Sequence, residues 1–404
     1  MADLTKPIDI TLVNDTAKRY LKELKSLEKL AAAEVLQHFT PMLGIQDSLV
    51  ITYIEHKNIS GKYTGEFKGD KQIGIAVPRT LVVKPCVAEM ADEPERYRRS
   101  YITAIAGGLE VNKHPFEKWL LQYGIEVASE ELVDAIYQAK YDADVAKVSL
   151  MDAFDGIGTI IAAEIAKADA EGLKLVNKNL FDFNVVVDKT NIGDVLLAQY
   201  RSAHTTMKRK GSVMIISEDM GEMYDDWYKA NHDRLPNLDT AGQQFLEGTN
   251  KKCQLIRWTN INDGKVILTR KKNLVFGVDK LSDMKSMKAF NSGNPYMFTA
   301  AMKYVFGVQF ASINHRELII GTTLEGEVTF TVTNGGAATV GANVNFNGED
   351  ILTDAEGVAV FSNVLYGTDL AYTITKATFV DAEGTVDVAE GAADVAEAVA
   401  LVAE

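Results

Sequence analysis

Composition breaks at one point along this 404-residue chain, and that break constrains the fold more than any motif does. Residues 322–404 hold 14 acidic side chains and one basic one, Lys376, for a net of −13. Residues 1–321 hold 41 basic and 42 acidic groups, for a net of −1. Every Met, Trp, His, Pro and Cys lies before the same point. A simultaneous shift in so many residue types marks a domain boundary near Gly321, so a single fold does not account for the chain. With 47% hydrophobic and 24% charged residues, both parts read as folded and soluble, which excludes wholesale disorder, a fibre or a coiled-coil rod. No apolar run is long enough for a transmembrane helix, and residues 1–20 lack the core of a secretory leader, so no membrane association is expected. Two cysteines, Cys86 and Cys253, are too few for a disulfide framework or a zinc ribbon. The whole-chain charge of −14 argues against a dedicated nucleic-acid binder, but nearly all of it belongs to the last fifth of the chain.

That last fifth reads as short strands between turns. Val328, Phe330 and Val332 alternate with polar positions, the period of a half-buried strand. Asn334-Gly335-Gly336, Asn347-Gly348 and Asp354-Ala355-Glu356-Gly357 are turn signals. Further strands are expected at 342–346, 358–361 and 372–375, around Val386 and Val388, and around Val395, Val399 and Leu401. About seven short strands point to a β-sandwich. The Ala-rich ending from Gly391 to Glu404 fits a short helix as the alternative. The run Ala342-x-Val344, Gly348, Thr353-Asp354-x-x-Gly357-x-Ala359-x-Phe361, Tyr366-Gly367-Thr368, Tyr372-x-Ile374 resembles the bacterial immunoglobulin-like and carboxypeptidase-regulatory-like sandwich families.

The body begins with an arm, 1–46. Asp15 can cap a helix whose Tyr20, Leu24, Leu27 and Ala31 share one face. That helix is either an ordinary surface helix or an arm that docks on a partner. Residues 47–78 form an extended loop. Strand character at 49–54 returns at 73–77 and 81–83. Between them Gly61, Gly65 and Gly69 punctuate a polar stretch with Lys57, Lys62, Tyr63, Lys68 and Lys71. A two-stranded ribbon is marginal in water, so one this long is expected to rest on another surface such as a second chain. A solvated loop in a larger sheet is the alternative.

Helices are expected over 115–122 and 129–150. Ser129, followed by Glu130 and Glu131, supplies an N-cap and an acidic first turn. Leu132, Ile136, Ala139, Ala143, Ala146 and Leu150 then share a face of a helix about 30 Å long. The turn Asp155-Gly156-Ile157-Gly158-Thr159 follows. Residues 181–280 alternate helices (191–207 and 218–230) with strands at 212–217, 254–259, 266–269 and 273–278. Phe298, Ala300, Met302, Tyr304, Phe306, Val308 and Phe310 alternate strictly, as one long strand with one apolar face. Residues 92–123 match no part of this scheme.

A search for chemistry returns little. The six histidines show no metal-ligand spacing, and there is no nucleophile elbow or phosphate loop. Asp225-Asp226 and Glu218-Asp219 diverge around a helix and read as solvated faces. Lys208-Arg209-Lys210 and Arg270-Lys271-Lys272 could touch phosphate but read first as solubilising surface. No catalytic residue, metal or cofactor is expected.

The order of elements (arm, long basic hairpin, long helix, Gly turn, α/β domain, long final strand) resembles the major capsid protein of tailed bacteriophages, a fold shared with encapsulins and the herpesvirus capsid floor. The nearest local matches are Ala153-Phe154-Asp155-Gly156-Ile157-Gly158-Thr159 after the spine helix and the helix–strand–helix from Asn191 through Ser212-Val213-Met214-Ile215-Ile216-Ser217 to Met220. The resemblance implies an α+β capsid fold: N-terminal arm 1–46, extended loop 47–78, peripheral domain 79–180 and 281–321 with spine helix 129–150, and axial domain 181–280. The immunoglobulin-like module 322–404 is appended. It implies self-assembly into hexamers and pentamers of an icosahedral shell enclosing double-stranded DNA in a virion built in the host cytoplasm. Portal, scaffolding and minor capsid proteins are implied partners. Intersubunit contacts would fall on Tyr20, Leu24 and Leu27 of the arm and on the loop residues Lys57, Gly61, Lys62, Tyr63, Gly65, Lys68, Gly69 and Lys71. The acidic module is expected to face away from the genome. An encapsulin-like compartment shell and a cell-surface glycan-binding adhesin are the alternatives.

Overall fold

The computed structural model describes residues 31–56, 74–106, 116–144, 146, 148–167, 172–236, 244–262, 264–280, 288–290, 297–388 and 394–403. In chain order these begin with helix α1 (Ala31–Leu36) and strands β1 (Thr40–Leu43), β2 (Ser48–His56), β3 (Gly74–Val82) and β4 (Lys84–Asp92). Helices α2 (Arg98–Ala106), α3 (Phe116–Gln138) and α4 (Ile157–Ile165) lead to β5 (Leu180–Asp182), α5 (Ile192–Ser202), α6 (Thr205–Lys210), β6 (Ser212–Ser217) and α7 (Glu218–His232). Strands β7 (Gln244–Phe245), β8 (Cys253–Trp258), β9 (Val266–Thr269), β10 (Leu274–Val278), β11 (Lys288–Phe290), β12 (Phe298–Phe310) and β13 (Leu318–Thr322) complete the body. The rest is β14 (Glu325–Asn334), β15 (Ala337–Ala338), β16 (Asn343–Phe346), β17 (Glu349–Leu352), β18 (Val358–Leu365), β19 (Gly367–Thr375), β20 (Ala382–Val388) and β21 (Asp394–Ala400).

The chain divides into two compact units. The first holds residues 1–163, 258–261 and 269–318, and the second holds 164–257, 262–268 and 319–404. The division differs from the expected peripheral and axial ranges. Residues 269–280 join the first unit because β10 is hydrogen-bonded between β1 and β12. Residues 164–180 join the second, where β5 pairs with β13.

The first unit is built on the alternation of β12. Its even-numbered residues from Phe298 to Phe310 are buried, and the strand pairs along its length with β4, β10 and β11. The long helix is a correction to the sequence reading: it spans 116–138, not 129–150. It begins early because Phe116, Trp119 and Tyr123 stack along it, with centroids 6.2 and 5.9 Å apart. Ser129 is no cap. It is buried in mid-helix, where its Oγ accepts a hydrogen bond from the Ala32 N–H at 3.0 Å and joins α1 to α3. The helix ends at 138 because the next N–H groups find other acceptors. Lys140 donates to Met151 O (2.8 Å), Tyr141 to Asp155 Oδ1 (2.9 Å) and Asp142 to Asp152 O (3.0 Å). Asp142 and Asp144 then accept from N–H groups two residues on, the local bonding that draws Asp out of helices. Ala143 and Ala146 are consequently exposed. Residues 92–123, unassigned from sequence, carry the end of β4, α2 and the start of α3. The Gly turn has a packing role: a Cβ on Gly156 would lie 2.5 Å from Tyr137 O, and the Gly156 N–H donates to Ala139 O at 2.7 Å.

In the second unit a six-stranded sheet runs β5-β13-β9-β6-β8-β7. Strand β6 is buried at every position. The helix expected over 191–207 is two helices, α5 and α6, separated at Ala203 and His204. The His204 Nδ1 caps α6 by accepting from the Thr206 N–H at 3.1 Å. Beyond Thr322 two four-stranded sheets, β15-β14-β18 with β21 on β14, and β17-β16-β19-β20, enclose one apolar core of Phe330, Phe346, Phe361, Ile374 and their neighbours. The Ala-rich ending is a strand, β21, parallel to β14.

Candidate functional site

The surface that most needs explaining is the antiparallel pair β2–β3, which runs from Ser48 opposite Val82 to His56 opposite Gly74. Among the described residues it belongs to no larger sheet. Opposed residues of such a pair share a face. One face carries Leu49 with Leu81, Ile51 with Arg79, and Tyr53 with Val77. Its base is fastened to the first unit. Leu81 and Val83 are buried with Ile45 and Val275, and Ile51 packs against them. Gly307 of β12 lets the ribbon approach, since a Cβ there would sit 2.1 Å from Val82 O. The Tyr53 hydroxyl donates to Glu317 Oε1 (3.2 Å), and Arg270 Nη1 donates to the two Glu317 oxygens at 2.5 and 2.6 Å. Arg79 Nη2 donates to Gln309 Oε1 at 3.1 Å. Burial, reinforced by the Glu317 carboxylate, pushes the Tyr53 phenol up to about 12.

The other face has no cover among the described residues. Val50 is 59% exposed, Ile54 51% and Val82 44%, and Thr52, Ala76, Pro78 and Thr80 between them are also exposed. An apolar face on a two-stranded ribbon lacks the burial that makes such ribbons stable.

A second unpartnered feature lies in the same unit. Strand β4 pairs with β12 along one edge, and among the described residues no strand takes its other edge. A cleft of ≈ 840 Å³ lies between β4 and α3, with Val87, Met90, Tyr123, Val127, Val148 and Phe298 among its lining. Among the described residues the charged groups lining it are Glu89, Asp92, Glu131 and Asp134, with no Lys or Arg. Hydrogen bonds from the Tyr97 hydroxyl (2.5 Å) and the Glu93 N–H (2.7 Å) hold the Asp92 carboxyl below the usual carboxylate range.

The expected contact residues Lys57, Gly61, Lys62, Tyr63, Gly65, Lys68, Gly69 and Lys71 lie outside the described residues, as do Tyr20, Leu24 and Leu27. The sequence implies that the ribbon needs a covering surface but not which face takes it, and it gives no sign of the open β4 edge. The period-2 signal that could have shown the face was masked, because Val50, Thr52 and Ile54 interleave with equally apolar Leu49, Ile51 and Tyr53. Cys86 and Cys253 are buried, and burial pushes each thiol up to about 12, unlike a nucleophile. Among the described residues no group of three or more His, Cys, Asp or Glu is placed to hold a metal, and no helix is long and apolar enough to cross a membrane.

No family model and no curated protein matches the chain. Among solved structures the chain is similar to a cyanophage A-1(L) capsid protein, at 10% identity and TM-score 0.47 over 73% of this chain and 93% of that one. It is also similar to a chain of the satellite phage P4 procapsid, at 8% identity and TM-score 0.44 over 76% and 98% of the two chains. A virus-like particle from Pyrococcus furiosus gives 10% identity and TM-score 0.39 over 78% and 99%. All three scores lie below 0.5.

Proposed function

We propose that this chain is the major capsid protein of a tailed double-stranded-DNA bacteriophage, a coat subunit that builds an icosahedral shell from copies of itself. The uncovered face of the β2–β3 ribbon carries this reading. Its base is locked to the body by Leu81, Val83 and the Tyr53–Glu317–Arg270 cluster, while Val50, Ile54, Pro78 and Val82 are left to water. A second copy supplies the missing surface. The β4–α3 cleft has the complementary character, being apolar with an acidic rim, whereas the loop beyond the ribbon carries Lys57, Lys62, Lys68 and Lys71. The ribbon of one subunit lying over the cleft of the next would satisfy both. Repeated around an axis, such head-to-tail contacts close into rings.

On this reading residues 322–404 are an immunoglobulin-like decoration. Their net charge of −13 favours the side away from packaged DNA, whose backbone carries a charge about every 1.7 Å of axis. The deciding experiment is negative-stain microscopy of the purified full chain. Closed shells of uniform diameter are expected. A monomer at every concentration and salt would sink the proposal.

A further inference from the structure

The second unit gathers cations at one end of its six-stranded sheet. Arg201 lies in the last turn of α5, Lys208, Arg209 and Lys210 end α6, and Lys251 and Lys252 form the turn that enters β8. Backbone bonds hold these segments together. Ser212 N donates to Lys252 O at 2.9 Å, which sets the start of β6 beside the start of β8, and Lys208 Nζ donates to the Arg201 carbonyl. Buried residues fix each support: Met207 within α6, Thr249 and Cys253 on either side of the turn. The Thr249 hydroxyl donates to Leu246 O at 2.6 Å and Lys252 N to Thr249 O at 3.1 Å. Asn250 and Lys251 both adopt left-handed backbone, at φ 52° and 58°, a conformation that costs a non-glycine residue free energy and concentrates at functional sites.

The composition of this surface selects its partner. Neither 201–212 nor 248–253 contains a carboxylate. None of the exposed large apolar residues falls in either segment, so the surface lacks the aromatic and aliphatic anchors of a protein interface. Cations in the last turn of α6 offset that helix's dipole, but Lys251 and Lys252 lie in no helix and need another reason. What remains is a polar, predominantly cationic surface on a rigid support, with exposed Glu247 at its margin, which suits a polyanion read by charge alone.

We propose that Arg201, Lys208, Arg209, Lys210, Lys251 and Lys252 form a sequence-independent contact for the phosphate backbone of double-stranded DNA. The inference rests on the shell reading for the source of the DNA and deepens it by naming the surface that meets the genome.

The test measures binding of a short random-sequence DNA duplex to the full chain by fluorescence anisotropy across a salt series. Wild type is expected to bind with a steep salt dependence. The R209Q/K210Q/K251Q/K252Q variant should show a log–log slope shallower by about 3.6, since each lost phosphate contact removes about 0.9, and an affinity lower by about a hundredfold at low salt. The single variants K210Q and K251Q should each remove about 0.9 of slope. K189Q/K271Q/K272Q/K303Q, of equal charge change elsewhere, should leave the slope unaltered. Equal slopes for wild type and the patch variant, or equal losses in both quadruple variants, overturn the proposal. So does polyglutamate binding this surface as tightly as DNA, which would assign it to acidic protein. Negative-stain images of the same samples separate the two claims. Shells with patch-independent DNA binding refute only this inference. Patch-dependent binding without shells refutes the shell reading and leaves the surface standing.

Discussion

A methyl group added at position 307 would meet Val82 O at 2.1 Å, with Val82 C and Val83 Cα at 3.1 Å. All three are backbone atoms and cannot rotate away. Gly307→Ala should therefore destabilise the first unit by about 3 kcal/mol, at the upper end for overpacking, as measured by urea unfolding. The damage should fall at the ribbon base, because position 307 is where β12 passes β3. A second residue gives a pH signature. His38 is partly buried, and its pKa lies below the ordinary histidine value through burial first and the Lys271 charge second. Protonation then favours the unfolded chain, whose histidine keeps its ordinary value near 6.5. Stability from this group is present above that pH and is lost as pH falls through the lowered folded value. His38→Gln should flatten the acid side of the stability–pH curve below about pH 6.5, and an unchanged curve would show that other groups set it.

Elements became legible wherever a pattern had one structural meaning. Strand β12 is plain because seven apolar residues alternate with smaller or polar ones, and β6 because the four-residue apolar run Val213–Ile216 between two serines has strand length. The ribbon pairing also followed from strand character on both sides of a glycine-rich stretch. The long helix departs from its sequence pattern for a physical reason. Ser-Glu-Glu at 129–131 looks like a helix start, but Ser129 is used by tertiary structure to hold Ala32. Beyond Ala139 the apparent apolar face was made of alanines, which fit helix, strand or coil. Asp142 and Asp144 decide against helix through bonds no periodicity count sees. The β21 segment, Asp394–Ala400, was ambiguous for the same reason, and its pairing with β14 decides it. At this scale the shell reading makes a sharp prediction. Val50→Lys with Ile54→Lys alters two side chains that are already more than half in water, so the melting temperature of the unassembled chain should move little, by about 0.5 kcal/mol equivalent. Shells should not form, because the same positions would be buried between copies. Normal particles from this variant would remove the ribbon face from the interface.

At the scale of the whole chain, the abrupt composition change at Gly321 has a structural counterpart without a long linker. Only Thr323 and Leu324 separate β13 from β14. Both residues are bonded to the body: Leu324 N donates to Asp182 Oδ1 and Thr323 Oγ1 to Val185 O, each at 3.2 Å, and Leu324 is buried. Tyr366 N in turn donates to Leu324 O, tying the β18–β19 corner to the same junction. A module held this way keeps a fixed position relative to β13 and β5, in contrast to one swinging on a glycine-serine tether. Its net −13, multiplied over the copies in a shell, would repel a packed genome strongly within a Debye length of about 8 Å. Together these features predict ordered density for residues 322–404 on the outer surface of the particle, at one site per subunit in a three-dimensional reconstruction. Substituting Asp182→Ala should remove the carboxylate that receives Leu324 N and blur that density while the shell itself stays intact. Density inside the shell would refute the charge argument. Density outside but smeared in the wild type would refute the junction argument and leave the orientation standing.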